Sequence, residues 1–332
     1  MKKIKSLFFV ASLTISMISG CSQSTAVNES STSRDNKQQS DYPTRPITVI
    51  VSGSVGGGTD VGTRMTTAYW EKELGVPMPV SNISGARGQA IINLAKAKPN
   101  GYTIGMLSVP LLPAFYLDPE TQSKKISLDS FTPIANLVSD YGVICIRAEE
   151  KRFTNVKELF EYAKKNEVTA AAASFGGDDH VAILKINKAS NTKMVPVFLK
   201  STTECLAGVL GGHVDVLFAN VSEVYSNKQL KVIAVMSKTR SPYLPEVPTL
   251  EESGYPNIIN SSSRGILAFG KLDPASRDIL VRGLEKVNKN EEYLKKMKDI
   301  GMQIEFIPGE EYKKFLIKEE ETLISIKSLF GW

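Results

Sequence analysis

Histidine and cysteine are scarce in this sequence: 332 residues hold two of the first and three of the second. His180 and His213 lie far apart, and no Cys or His pair has the short spacing of a metal-ligand motif. A zinc site therefore has nothing to build on, and no cofactor is expected. Cys145 falls in an apparent strand and Cys205 in an apparent helix. Two such cysteines do not make a disulfide framework in a long chain; they read as buried free thiols, with a single bridge in an oxidising compartment as the alternative. An excess of one charge is missing too. Without residues 1–20 the balance is 37 basic against 35 acidic residues, which gives no electrostatic footprint for nucleic acid. No apolar run beyond residues 7–18 approaches the roughly 20 residues that span a bilayer.

The amino end is a different matter. Lys2, Lys3 and Lys5 precede the apolar run 7–18, the order of an export signal that is left out of the fold. The run ends in Ile18-Ser19-Gly20-Cys21, which resembles a bacterial lipobox and makes Cys21 the expected first residue of a lipid-anchored, extracytoplasmic protein, on the cell surface or the periplasmic face. Residues 22–40 are rich in Ser, Thr, Asn and Gln and carry no aromatic side chain, so 21–41 reads as a flexible tether.

The most informative stretch is Ile47-Thr-Val-Ile-Val-Ser-Gly-Ser-Val-Gly-Gly-Gly-Thr-Asp60. A β-branched strand runs into Gly56, Gly57 and Gly58, and a helix over 60–74 follows. Unpaired N–H groups and the positive end of the helix dipole would face the loop, which suits a carboxylate or a phosphate. The loop is neither a dinucleotide fingerprint nor a nucleotide P-loop, because Val61 occupies the sixth position and no Lys-Ser or Lys-Thr pair follows. Nor is it a hydrolase elbow: the residue two before Ser54 is Ser52.

Downstream, strand-like and helix-like segments alternate, the pattern of α/β architecture with mainly parallel sheets. A first βαβαβ unit closes near Ser108, an extended segment 131–146 leads into a second unit, and 231–237 reads as a strand returning to the first. The second unit contains Ser174-Phe-Gly-Gly-Asp-Asp-His180, again a strand, a glycine turn and a helix start. Both glycine turns are expected on a shared cleft, where open α/β sheets bind ligands.

Several runs then resemble one family: Tyr42-Pro-Thr-Arg-Pro-Ile-Thr-Val-Ile-Val51, Gly56-Gly-Gly-Thr-Asp60, Pro99-Asn-Gly-Tyr-Thr103, Phe131-Thr-Pro-Ile-Ala135, Leu210-Gly-Gly-His-Val-Asp215 and Ser241-Pro-Tyr-Leu-Pro-Glu-Val-Pro-Thr249. Together, over residues 42–326, they resemble the substrate-binding receptors of tripartite tricarboxylate transporters, the Bug family. The resemblance implies a two-lobed type II periplasmic-binding-protein fold with a central ligand cleft, made of lobe 1 (42–141 and 233–332) and lobe 2 (142–232). It implies a small organic carboxylate as ligand, a di- or tricarboxylate or an amino acid, and delivery by a monomer to integral membrane permease subunits. Carried over, the ligand-binding residues are Val55, Gly56, Gly57, Gly58, Thr59 and Asp60 in one loop and Ser174, Phe175, Gly176, Gly177, Asp178 and Asp179 in the other. Ser108, Ser201, Thr202 and Asn220 are further contacts.

Four charged positions stay open in this reading. Asp60 could cap its helix or hold a ligand amine, Asp178 and Asp179 could point away, bind an ammonium group or complete the helix cap, and Arg87 could reach a second carboxylate or lie on the surface. A hydrolase built on His180, and a surface sensor or adhesin that keeps the fold without the transport role, are the rival classes.

Overall fold

Strand β1 (Thr48–Ser52) buries Val49 and Val51 against one layer of helices and Ile50 against another, which is why its sequence is apolar on both faces. The computed structural model describes residues 41–83, 88–121 and 125–332. Cys21, the tether and Arg87 lie outside them. The chain continues through α1 (Gly58–Leu74), β2 (Val80–Ile83), α2 (Gln89–Leu94), β3 (Thr103–Val109) and α3 (Leu111–Leu117). β1 pairs in parallel with both β2 and β3, giving the order β2-β1-β3 with the loop after β1 at the point where the chain reverses direction across the sheet.

Strand β4 (Phe131–Arg147) then carries the chain across the molecule. The second unit follows as α4 (Val156–Lys165), β5 (Val168–Ala172), α5 (Asp178–Ser190), β6 (Met194–Phe198), α6 (Thr202–Leu210), β7 (Val216–Asn220), α7 (Val221–Val224) and β8 (Leu230–Val235). Here β5 pairs in parallel with β6 and β7, so the order β6-β5-β7 repeats the first plan. Ile144, Ala170, Phe218 and the α4 face of Leu159 and Phe160 fill one side of this sheet, while Cys145, Leu217, Cys205 and Val209 fill the other. Both cysteines are free and buried. Local signals set the helix starts: the Asn155 side chain accepts from Glu158 N–H at 3.0 Å, and Asp273 followed by Pro274 opens a later helix.

The return differs from the sequence expectation. β8 stays in the second unit, antiparallel to β4, and Ile233, Met236, Leu250 and Ile258 pack in its core. The strand that comes back is β9 (Ser261–Phe269), which no sequence pattern marked because it begins Ser-Ser-Ser-Arg. It runs antiparallel to β3 and β4. The crossing therefore lies at two adjacent points, Tyr141/Gly142 on β4 and Asn260/Ser261 before β9, and Gly142 N–H donates to Asn260 C=O at 3.0 Å. Helices α8 (Pro274–Val287) and α9 (Glu291–Asp299), strand β10 (Ile304–Pro308) and helix α10 (Gly309–Ser325) complete the first unit. Beyond α10, Phe330 and Trp332 reach the second unit and stack on each other beside Phe175, with ring centroids 4.6 Å apart.

Close packing across β9 generates a test. A Cβ on Gly265 would lie 2.8 Å from the Ala135 carbonyl oxygen and overlap the buried Tyr312 ring. Gly265→Ala should lower the unfolding free energy by about 1–3 kcal/mol in urea titration; an unchanged midpoint would show that the sheet and α10 do not meet this tightly.

Candidate functional site

The two glycine loops have the same backbone. Gly56 and Gly176 take positive φ of 79° and 75°, a region that excludes most side chains, and Gly57 and Gly177 are extended N-caps with φ −72° and −71°. Gly57 N–H donates to Ser54 C=O at 3.2 Å and Gly177 N–H to Ser174 C=O at 3.3 Å. Each N-cap carbonyl then accepts the first helical bond, from Val61 and from Val181, both at 3.0 Å. Neither cap residue has a side chain, so the first-turn N–H groups of α1 are left for another acceptor, whereas at α5 the Asp178 carboxyl accepts from its own N–H.

The residue six after each serine locks its loop. Asp60 Oδ2 accepts from Gly56 N–H at 2.9 Å, and Oδ1 accepts from Arg64 Nε at 2.8 Å. Burial pushes the Asp60 carboxyl up, but the Gly56 amide, Asn82 and Arg64 together hold it below its ordinary value. With both oxygens engaged and the side chain only 3% exposed, Asp60 supports the loop. In the second loop the equivalent acceptor is His180 Nδ1, 3.1 Å from Gly176 N. Burial lowers its pKa to about 4, so the ring is neutral at pH 7 with its proton on Nε2. A Ser-His-acid triad needs the proton on Nδ1, pointing at the acid. Phe198 and Phe330 also flank the ring at 4.9 and 5.1 Å. His180 is thus built as a loop acceptor.

Between the loops lies a charged group that sequence reasoning did not find. Arg264 on β9 is buried and pairs through Nη2 with Asp140 Oδ2 at 3.0 Å. Asn220 Oδ1 lies 3.5 Å from the same nitrogen, while Nε and Nη1 have no partner. Those free groups face the start of α1: a Cβ on Gly58 would sit 3.0 Å from Nη1. Asp140 also accepts from Ser222 N–H at 3.2 Å and from the Ser222 hydroxyl. Asn220 donates to Asp178 Oδ2 at 2.9 Å and to Asp140 C=O at 3.1 Å, and its N–H donates to Glu223 Oε2 at 3.0 Å. Burial, offset in part by Arg264, raises the Glu223 pKa to about 7. Burial likewise raises Asp178, and burial with the neighbouring Asp178 charge raises Asp179 well above the usual carboxylate range.

The remaining sequence-derived residues divide. Gly58, Asp178 and Asn220 surround Arg264, and Thr59 lines a cavity of about 10 Å³ with Gly62, Thr63, Met106, Met302 and Arg264, room for one water. Ser108 on β3 lies opposite Arg264 in the strand register. Val55 is exposed at the tip of its loop, and Phe175 meets the tilted His180 ring at 4.8 Å and Phe198 edge to face at 5.7 Å. Ser201 is the N-cap of α6, accepting from Glu204 N–H at 3.2 Å, and Thr202 donates to Glu223 Oε1 at 3.0 Å. Asp179 is not a cap: α5 starts at Asp178, and Asp179 Oδ2 reaches back to Ala173 N–H at 3.3 Å. Among the described residues no three His, Cys, Asp or Glu side chains converge as metal ligands.

Glu223 offers a pH test. Its folded pKa of about 7 stands above the ordinary 4.5, so its contribution is fully present below about pH 4.5 and is lost as pH rises through 7. Glu223→Gln, a mimic of the protonated acid, should gain on the wild type across that window by at most about 3 kcal/mol in urea unfolding. A stability difference independent of pH would mean that Glu223 stays charged.

The comparisons agree with this architecture. Residues 63–327 match the family described as tripartite tricarboxylate transporter family receptor. Protein BugT of Bordetella pertussis is 28% identical over 243 residues, 70% of this chain and 73% of that protein. The periplasmic binding protein BugD superposes with a TM-score of 0.78 at 26% identity, over 87% of this chain and 99% of that one. MatC of Rhodopseudomonas palustris, solved with bound malate, has the same fold, with a TM-score of 0.78 at 22% identity over 86% and 99% of the two chains. The fold is therefore the two-lobed α/β fold of the periplasmic binding proteins. With four-fifths of its length matched by one family, this chain belongs to the receptors of the tripartite tricarboxylate transporters.

Proposed function

We propose that this protein is an extracytoplasmic receptor, held to the membrane by a lipid on Cys21, that captures a small organic carboxylate between its two glycine loops and passes it to the permease subunits of a tripartite tricarboxylate transporter. It works as a monomer and does no covalent chemistry. The observation that carries the reading is the pairing of two capless helix starts with a buried arginine whose Nε and Nη1 are unpartnered. Free N–H donors at a helix start, held in a water-poor space, favour an anion more strongly than they would in solution. The malate bound to the MatC relative is an anion of that kind.

Residues 42–141 with 261–332, and 142–260, act in this proposal as two lobes that open about the adjacent crossings at 141/142 and 260/261. The 10 Å³ beside Arg264 admits no carboxylate, so loading requires the lobes to part and release requires them to part again. No helix of the described residues is long and apolar enough to cross a membrane; the anchor in this scheme is the lipid on Cys21.

Mass spectrometry of small molecules released from the purified protein, together with a thermal-shift screen of carboxylates, tests the receptor role. A ligand at 100 times its dissociation constant should add about 2.7 kcal/mol of stability. No released acid and no shift would count against a receptor and favour the sensor or adhesin reading. Gly58→Val should fill the space between α1 and Arg264 and abolish the shift while circular dichroism stays the same; retained affinity would remove the first loop from the site. Cys21→Ala should move the protein out of the membrane fraction, and a mutant that stays there would contradict lipidation.

A further inference from the structure

The two loops differ at one position that matters for charge. In the fifth place, counted from Ser54 and Ser174, the first loop has Gly58 and the second has Asp178. Gly58 leaves the start of α1 open toward Arg264, whose side chain is 4% exposed and whose Nε and Nη1 lack acceptors. Asp178 does the opposite at α5. Its carboxylate accepts from Asn220 Nδ2 at 2.9 Å and from its own backbone N–H, so the anion position of the second helix start already holds a side-chain anion.

This asymmetry, which rests on the receptor reading above, decides what the far end of the ligand can be. We infer that the ligand is an amino carboxylate held end to end, its carboxylate on the α1 amides and the free N–H groups of Arg264, and its ammonium group on Asp178. A dicarboxylate spanning the loops would instead set its second anion against Asp178, with Asp140 close by and one arginine between the two acids. Like charges that close and that buried repel strongly. An ammonium group reverses the sign of that contact and adds a positive charge beside Asp178, which shares Arg264 with the directly paired Asp140. Burial raises the Asp178 carboxyl, the state that a bound cation would pull back toward ionised.

Isothermal titration of the purified chain with matched pairs tests the inference: L-glutamate with glutarate, L-alanine with propionate, and γ-aminobutyrate with butyrate, with malate as a further acid lacking nitrogen. At least one aminated member should bind, and its partner without nitrogen should bind about 30-fold more weakly or worse. Asp178→Asn should remove that preference, and Asp178→Gly, which restores the residue of the first loop, should raise affinity for glutarate or malate. Arg264→Gln should weaken every ligand. Equal binding of paired acids to the wild type, or binding of glutarate or malate alone, overturns the amino-carboxylate assignment and leaves the receptor standing; this comparison needs no variant to fold. Titrations flat for both classes would overturn the receptor proposal as well.

Discussion

A buried arginine sets the terms for the rest of this molecule. Arg264 sits on the returning strand next to the crossing, with its charge taken from water and matched by Asp140 on the neighbouring strand. Burying such a pair carries a large desolvation cost, recovered only when the surrounding dipoles are well placed. The placement comes from Asn220 and Ser222, which tie Asp140 to the start of α7, and from Asp178 at the start of α5. Strands from both units and two helix starts therefore converge on one guanidinium, and the crossing cannot shift without disturbing that charge balance.

The paired loops show how one backbone solution serves twice with different chemistry. Both units use the strand order second-first-third, so the loop after the central strand stands at the same place in each sheet. The Ser-x-Gly-Gly turn is common to both because a positive φ at the third position and a bare N-cap at the fourth admit little else. Where the backbone is less demanding the loops diverge: valine against phenylalanine at the tip, glycine against aspartate at the helix start, aspartate against histidine as the lock. Shape repeats, and charge is free to vary.

Much of this is legible in the sequence for plain physical reasons. A run of three glycines after a β-branched strand has few alternatives to a tight turn, and Asn155, Asp273-Pro274 and the apolar spacing of residues 156–163 announce their helices. The gaps come from polar residues inside the fold. Ser261 to Arg264 have the polar composition of a loop, which hides the start of β9, and the signal that the sequence does carry is an arginine leading directly into the apolar run Gly265-Ile-Leu-Ala-Phe269. Asp140 lies inside a long strand of ordinary appearance, and Glu223 lies in a four-residue helix too short for any periodicity. The Asp179 side chain suits a cap as well as a ligand contact, but the extended Gly177 takes the cap position and α5 starts at Asp178, two residues before a cap at Asp179 would start it. Pairings between distant segments, such as Arg264 with Asp140, have no local trace.

The two locks also give the halves of the clamp unequal tolerance of acid. Asp60 and His180 do the same work, accepting one amide from the loop four residues back. Protonation ends that work in both, but at different acidity. A histidine with a folded pKa near 4 begins to lose its advantage once the medium falls below the ordinary 6.5, while Asp60, held below the usual 3.8, keeps its grip until the medium is more acidic still. In a progressively acidic environment the second jaw slackens while the first remains set, so the order in which the clamp fails is written into the choice of imidazole over carboxylate at a single place in the chain.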